Sequence, residues 1–222
     1  MPAKEGEVVN PVATSWFAKT RARLHRTGRR MRQTARAGSA AIEFALIAPI
    51  FFVLLMGTIE VGVMFFSQFV LQNATNDAAR LIRTGQFTGT LPNQVLTQAE
   101  INAGMVAGQA MTQAQFRTYI CNEISPVLAC NTNLQIDVEA FANFATASYP
   151  TALTGTNTLN PALNNFSPGA VCSVVLLRTF YTWSVITPLL TPFLTNMANH
   201  QHLLASTAAF RNEPYTTGVA GC

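Results

Sequence analysis

The sequence predicts an α+β chain in which one long apolar helix near the amino end packs on a small antiparallel sheet. Three observations predict it. From Phe44 to Leu71 the only charged residue among 28 is Glu60, and a helix rising about 1.5 Å per residue needs about 20 residues to cross a hydrocarbon core. The stretch from Gln98 to about Ala129 reads as helical, with capping residues at Thr97 and Thr112. Three β-branched or aromatic segments then follow, within 133–142, 171–185 and 202–212. Helices first and strands afterwards is the α+β order.

The chain before the apolar stretch is basic. Residues 1–38 hold nine of the fourteen Lys and Arg against Glu5 and Glu7, while the rest holds five Arg against eight acids. Lys and Arg flanking a spanning helix stay on the cytoplasmic side, so the amino end is expected in the cytosol and the long carboxy-terminal part outside. The pI of about 9.1 is thus a topological signal. A nucleic-acid reading of RARLHRTGRRMRQTAR is the rival, since basic runs bind phosphates. The run abuts an apolar helix and lacks a DNA-binding module, so no nucleic-acid partner is expected. Residues 1–20 show no sustained periodicity and are expected to be disordered; residues 21–36 could lie on the lipid surface as a basic helix.

A secretory signal places its small-residue cleavage site beyond an apolar core of about 7–15 residues. Here Ala37, Gly38, Ser39, Ala40 and Ala41 lie before the apolar stretch, and Glu43 and Phe44 follow them. That arrangement resembles the type IV prepilin signal, in which a membrane peptidase cuts after Gly and leaves the apolar helix on the mature protein. Counted from Ser39, Glu43 is the fifth residue, as in that signal. The string from Arg36 to Gln86 is similar, more narrowly, to the TadE-like domain of tight-adherence (Flp pilus) systems. The features carrying the resemblance are the G-x-x-x-x-E-F junction, Pro49, the Ile59-Glu60-x-Gly62 motif, and Leu71–Ala74 leading to Asp77–Arg80. A weaker likeness covers Arg211–Pro214.

The resemblance implies a minor pseudopilin with a pilin-like fold, processed between Gly38 and Ser39 by a prepilin peptidase. Its implied partners are other pilins and pseudopilins, an inner-membrane assembly platform and the lipid bilayer, and its implied place is a bacterial inner membrane with a periplasmic outer domain. Domain limits follow as a basic leader 1–38, a transmembrane and amphipathic helix 39–84 and an outer domain 85–222. An unprocessed single-pass adaptor with a periplasmic binding domain is the alternative.

Glu43 is then expected to meet the free amine of a neighbouring subunit, because a carboxylate at a membrane seeks a partner. Glu60 is either an interfacial acid ending the buried portion or a contact to a neighbouring pilin or platform. Pro49 removes a backbone donor and would kink the axis, and Gly57 and Gly62 favour close approach of another helix. Beyond the membrane, Gln68, Gln72, Asn76 and Arg80 form a polar stripe opposite Val70, Ala74, Ala78, Leu81 and Ile82. One helix from about Ala41 to Thr84, stopped at Gly85, is the expected result.

Residues 85–97 read as loop. Thr97 with Glu100 is a capping-box pattern, and the helical stretch breaks near Gly104–Gly108. Leu134, Ile136, Val138 and Ala140 alternate against polar neighbours as in a half-buried strand, and Val171–Val185 has the composition of a central strand. Residues 143–169, rich in Asn, Thr, Pro, Gly and Ser, read as an exposed loop. The stretch after Val185, holding Pro188 and Pro192, reads as a short helix or a membrane-proximal loop.

Cys121, Cys130, Cys172 and Cys222 all lie on the side expected outside, which fits an oxidising compartment. Four cysteines allow three connectivities; the expected one joins Cys121 to Cys130 and Cys172 to Cys222. A zinc site is the rival, but no C-x-x-C pair is present and only three His occur. No phosphate loop, nucleophile elbow or H-E-x-x-H helix is present, and His200 with His202 lacks a third ligand nearby. No catalysis, cofactor or metal is expected.

Overall fold

The computed structural model describes residues 11–89, 91, 94–130, 132–215 and 222, with side chains from Ser39 onward. Two compact units divide the chain, Met1–Leu55 and Met56–Cys222. Helix α1 (Pro11–Arg83) begins in the first and ends in the second. It starts well before the expected Ala41. Residues 11–40 contain strong helix formers and, after Pro11, no proline to stop them, and Pro at a first helical position is compatible with helix. The expected disorder of residues 1–20 is thus corrected for 11–20, and for 1–10 it lies outside the described residues. Pro49 sits inside α1 without ending it. Gly85 follows with φ 75°, the left-handed conformation that closes a helix and favours glycine.

In the second unit, α1 packs on a three-stranded antiparallel sheet of order β1-β2-β3. The strands are β1 (Leu134–Phe141), β2 (Val174–Ser184) and β3 (Gln201–Arg211). The small side of α1, with Ala74, Ala78, Leu81 and Ile82 buried, meets Val138, Val175, Leu177 and Tyr181 in one core. Thr75 and Thr179 share a hydroxyl hydrogen bond of 2.6 Å across that interface. At the end of α1, Glu213 N donates to Arg83 O at 2.9 Å.

The intervening helices complete the same core. α2 (Gln98–Asn102) and α3 (Gln113–Ile124) both start in capping boxes, Thr97 with Glu100 and Thr112 with Gln115. In each, the cap hydroxyl accepts from a backbone N–H that would otherwise lack a partner, and the third residue's side chain returns the bond. Phe116, Ile120 and Ile124 recur along the buried side of α3, the spacing of one helix face. Its end is joined to the following loop by the Cys121–Cys130 disulfide, with Cα atoms 5.4 Å apart. The second disulfide joins Cys172 to Cys222.

Residues 143–169 do more than the expected exposed loop. They form a cover over the sheet face opposite α1. Val138 N donates to Asn165 O and Ser167 N to Val138 O, at 2.9 and 2.8 Å, so the edge of β1 is occupied rather than open. Leu163, 0% exposed, packs with Phe180, Met197 and Leu203 in a second apolar cluster. With both faces covered, β2 is buried along nearly its whole length, which is why its apolar run does not alternate.

Beneath the cover lies an ion pair. Asp137 and Arg178 are cross-strand partners, joined by Arg178 Nη2 and Nε donating to Asp137 Oδ2 at 2.6 and 3.2 Å. Arg178 Nη1 donates to Pro150 O at 2.9 Å, its guanidinium lies 5.0 Å from the Tyr149 ring centroid, and Asn165 N donates to Asp137 Oδ1 at 3.1 Å. The pair therefore ties the cover to both strands. Between Glu139 and Arg211, Arg178 is the sole Asp, Glu, Lys or Arg.

Candidate functional site

The feature that chemistry and burial set apart is the helix surface of α1. In the first unit, Phe44, Leu46, Ile47, Ile50, Phe51, Phe52 and Leu54 are all exposed. At about 100° per residue these positions run all the way round the helix. A helix apolar on every side belongs in a large core or a bilayer, and none of the described residues covers these side chains. Ser39–Arg83 is long and apolar enough to cross a membrane, with mean hydropathy 2.3 over its best 18-residue window.

At the start of this surface, Ser39 Oγ donates to Glu43 Oε1 at 3.0 Å, one helical turn apart and both exposed. The residues expected to define processing and assembly, Gly38, Ser39, Glu43 and Phe44, thus follow one another on continuous helix. Sequence reading had not anticipated the Ser39–Glu43 bond, although a hydroxyl four residues before a carboxylate in a helix is a signal for it.

In the second unit, α1 acquires two sides. Gly57, Glu60, Met64, Ser67 and Leu71 are buried, at the three- and four-residue spacing of one face, while Met56, Ile59, Val63, Phe65, Phe66 and Phe69 stay exposed. Glu60 is 5% exposed. Its Oε1 accepts from Ile186 N at 2.5 Å and its Oε2 from Thr187 N at 2.9 Å. Both carboxyl oxygens of Glu60 are engaged by the chain's own backbone, 126 and 127 residues away. Gly57 does not wait for another helix, since a Cβ built there would overlap Leu190 Cδ1; Gly62 faces open space.

The residues that hold Glu60 lie in the β2–β3 connection. After Ser184 the chain makes a single 3-10 turn at Pro188–Leu190 and the short helix α4 (Thr191–Leu194). The sequence reads this stretch as a short helix or a membrane-proximal loop, and the structure shows a 3-10 turn and a four-residue helix within it. His202 Nδ1 lies 2.6 Å from Leu194 O, so this His is engaged in holding α4. Among the described residues no group of three His, Cys, Asp or Glu is placed to hold a metal ion.

Compared with known proteins, residues 38–80 match the family model described as TadE-like protein. The matched segment begins at Gly38 and ends at Arg80, taking in the small-residue junction, Glu43, Glu60 and the amphipathic exit of α1. No curated protein and no solved structure matches the chain.

Proposed function

We propose that this TadE-like chain is a structural, non-catalytic minor pseudopilin of a tight-adherence pilus, held in the inner membrane by α1. On this reading the basic start faces the cytoplasm, and the sheet-bearing unit with its two disulfides faces the periplasm. The observation that carries the reading is the uncovered, all-round apolar surface of α1 just after a cationic segment and a small-residue junction, within the TadE-like match. Charge asymmetry supports the orientation, and two disulfides among four cysteines support an oxidising compartment.

Processing follows from the same junction. A prepilin peptidase would cut between Gly38 and Ser39, leaving α1 on the mature protein with a new amine one turn from Glu43. That amine, or the amine of a neighbouring pilin, supplies the positive partner that a carboxylate in apolar surroundings needs. Glu43 would then set the axial position of one subunit on the next or on the assembly platform.

The mass and amino-terminal residue of the protein extracted from membranes test this. The expected species begins at Ser39, and Gly38→Arg leaves the leader attached; an intact leader on the unaltered protein would favour an unprocessed adaptor. Glu43→Ala is expected to be cut normally yet to reduce piliation severely, counted by electron microscopy. Wild-type filament numbers from the Glu43→Ala strain would remove the assembly role from this residue.

A further inference from the structure

We propose that the β2–β3 connection, from Ile186 to Phe193, is a second membrane-seated element, a wedge lying in the leaflet boundary beside α1 and pinned there by Glu60. The inference rests on α1 spanning a bilayer. It goes beyond that reading in assigning lipid contact to a part of the chain outside the helix.

Burial supplies the first argument. Ile186, Leu189 and Phe193 are 76%, 69% and 83% exposed, large apolar side chains within eight residues. The connection contains no Asp, Glu, Lys or Arg. Apolar side chains clustered on a surface mark a place where something other than water belongs.

Position supplies the second. The connection touches α1 at Gly57 and Glu60. The exposed residues of the same helical turns are Met56, Ile59 and Val63. Whatever covers those helix residues also reaches Ile186 and Leu189, and for a spanning helix that medium is lipid. An apolar cleft of about 320 Å³ adjoins the connection, lined by Val61, Met64, Phe65, Leu194 and Leu204 among others. It extends the same apolar surface and has room for a segment of acyl chain.

The backbone supplies the third. A non-helical segment near hydrocarbon is tolerated only if its polar groups are satisfied. Ile186 N and Thr187 N, which precede the 3-10 turn, are the donors that Glu60 accepts. Pro188 and Pro192 have no N–H to satisfy. Leu190 N donates to Thr187 O at 3.0 Å, and Thr191 and Thr195 hydroxyls donate to Pro188 O and Thr191 O at 2.8 Å each. Glu60 is thereby explained as an acid at the membrane boundary whose partner is this turn, and the segment reaches that boundary with the N–H groups of Ile186, Thr187, Leu190 and Thr191 already paired.

The test uses the full chain, disulfides intact, reconstituted in phosphatidylcholine–phosphatidylglycerol vesicles. A nitroxide is attached at Phe193→Cys, and its collisions with oxygen, which concentrates in lipid, are compared with those of a water-soluble nickel chelate. Ile50→Cys on α1 and Thr156→Cys in the cover serve as references. The expected result is an oxygen-rich, nickel-poor signal at 193 that resembles the one at 50 and contrasts with the one at 156. A nickel-accessible label at 193 with a lipid-like label at 50 overturns the wedge and leaves the spanning helix standing. A nickel-accessible label at 50 overturns the spanning reading itself. A label at 193 shielded from both reagents shows protein coverage by a second copy and overturns lipid as the occupant. Glu60→Gln, which replaces one acceptor by a donor facing a backbone N–H, is expected to abolish the oxygen preference at 193 while leaving it at 50; an unchanged signal at 193 removes Glu60 as the pin.

Discussion

Asp137→Ala is expected to lower the unfolding free energy by about 3 kcal/mol, the low end of the 3–5 kcal/mol range for breaking a buried pair. Asp137 is fully buried and Arg178 nearly so, and the variant leaves the guanidinium in place without its nearest counter-charge. Glu139 Oε1, 3.5 Å from Arg178 Nη2, offsets part of the loss, which is why the low end applies. The double variant Asp137→Leu/Arg178→Leu removes both charges and is expected to recover most of the stability, since apolar replacements of buried pairs are often neutral or better. Urea titration of the full-length protein in detergent, followed by near-ultraviolet circular dichroism, measures both. A loss below about 1 kcal/mol, the scale of an exposed ion pair, would show that the pair does not carry the load assigned to it. Because the guanidinium also holds Pro150 O and stacks near Tyr149, the single variant should in addition expose residues 143–169 to limited proteolysis before the sheet unfolds.

The second large effect is the removal of the Cys172–Cys222 bridge. It closes a separation of 50 residues, and the chain-entropy relation gives about 4 kcal/mol for a loop of that size. The Cys121–Cys130 bridge closes nine, for which the same relation gives about 2.5 kcal/mol. Cys172→Ser/Cys222→Ser should therefore lower the denaturation midpoint more than Cys121→Ser/Cys130→Ser, measured under the same conditions. The reverse order would mean that local packing around α3 outweighs loop closure.

Much of the sheet-bearing unit was legible because its signals are local. The capping boxes at Thr97 and Thr112 need only residues three apart, and the alternation through Leu134, Ile136 and Val138 shows a strand without knowledge of its partner. The continuous apolar run of β2 gave its central place for a physical reason, burial on both faces. What escaped the sequence depends on distant partners. Glu60 meets backbone atoms more than a hundred residues away, and backbone donors carry no residue-type signature. Leu163 and Phe166 are isolated apolar residues in a Thr- and Asn-rich stretch, so no period marks the first as the underside of a cover or the second as a partner of Phe116 in the main core. Residues 21–36 read as a possible basic helix and are helical, whereas the start of α1 at Pro11 escaped the sequence because residues 11–20 carry no apolar period. Asp137 opposite Arg178 was readable in principle, as opposite charges placed inside two apolar strands, but only once their register was known.

The cover over the sheet presents hydroxyls and amides to its surroundings, with no fixed charge along it. Attraction between ions weakens as electrolyte rises, with a screening length of about 10 Å at 0.1 M; dipolar contacts made by Thr, Ser and Asn have no such dependence to lose. Contacts made through the Thr, Ser and Asn groups of such a surface would therefore keep their strength as salt rises, where contacts between ions would fade.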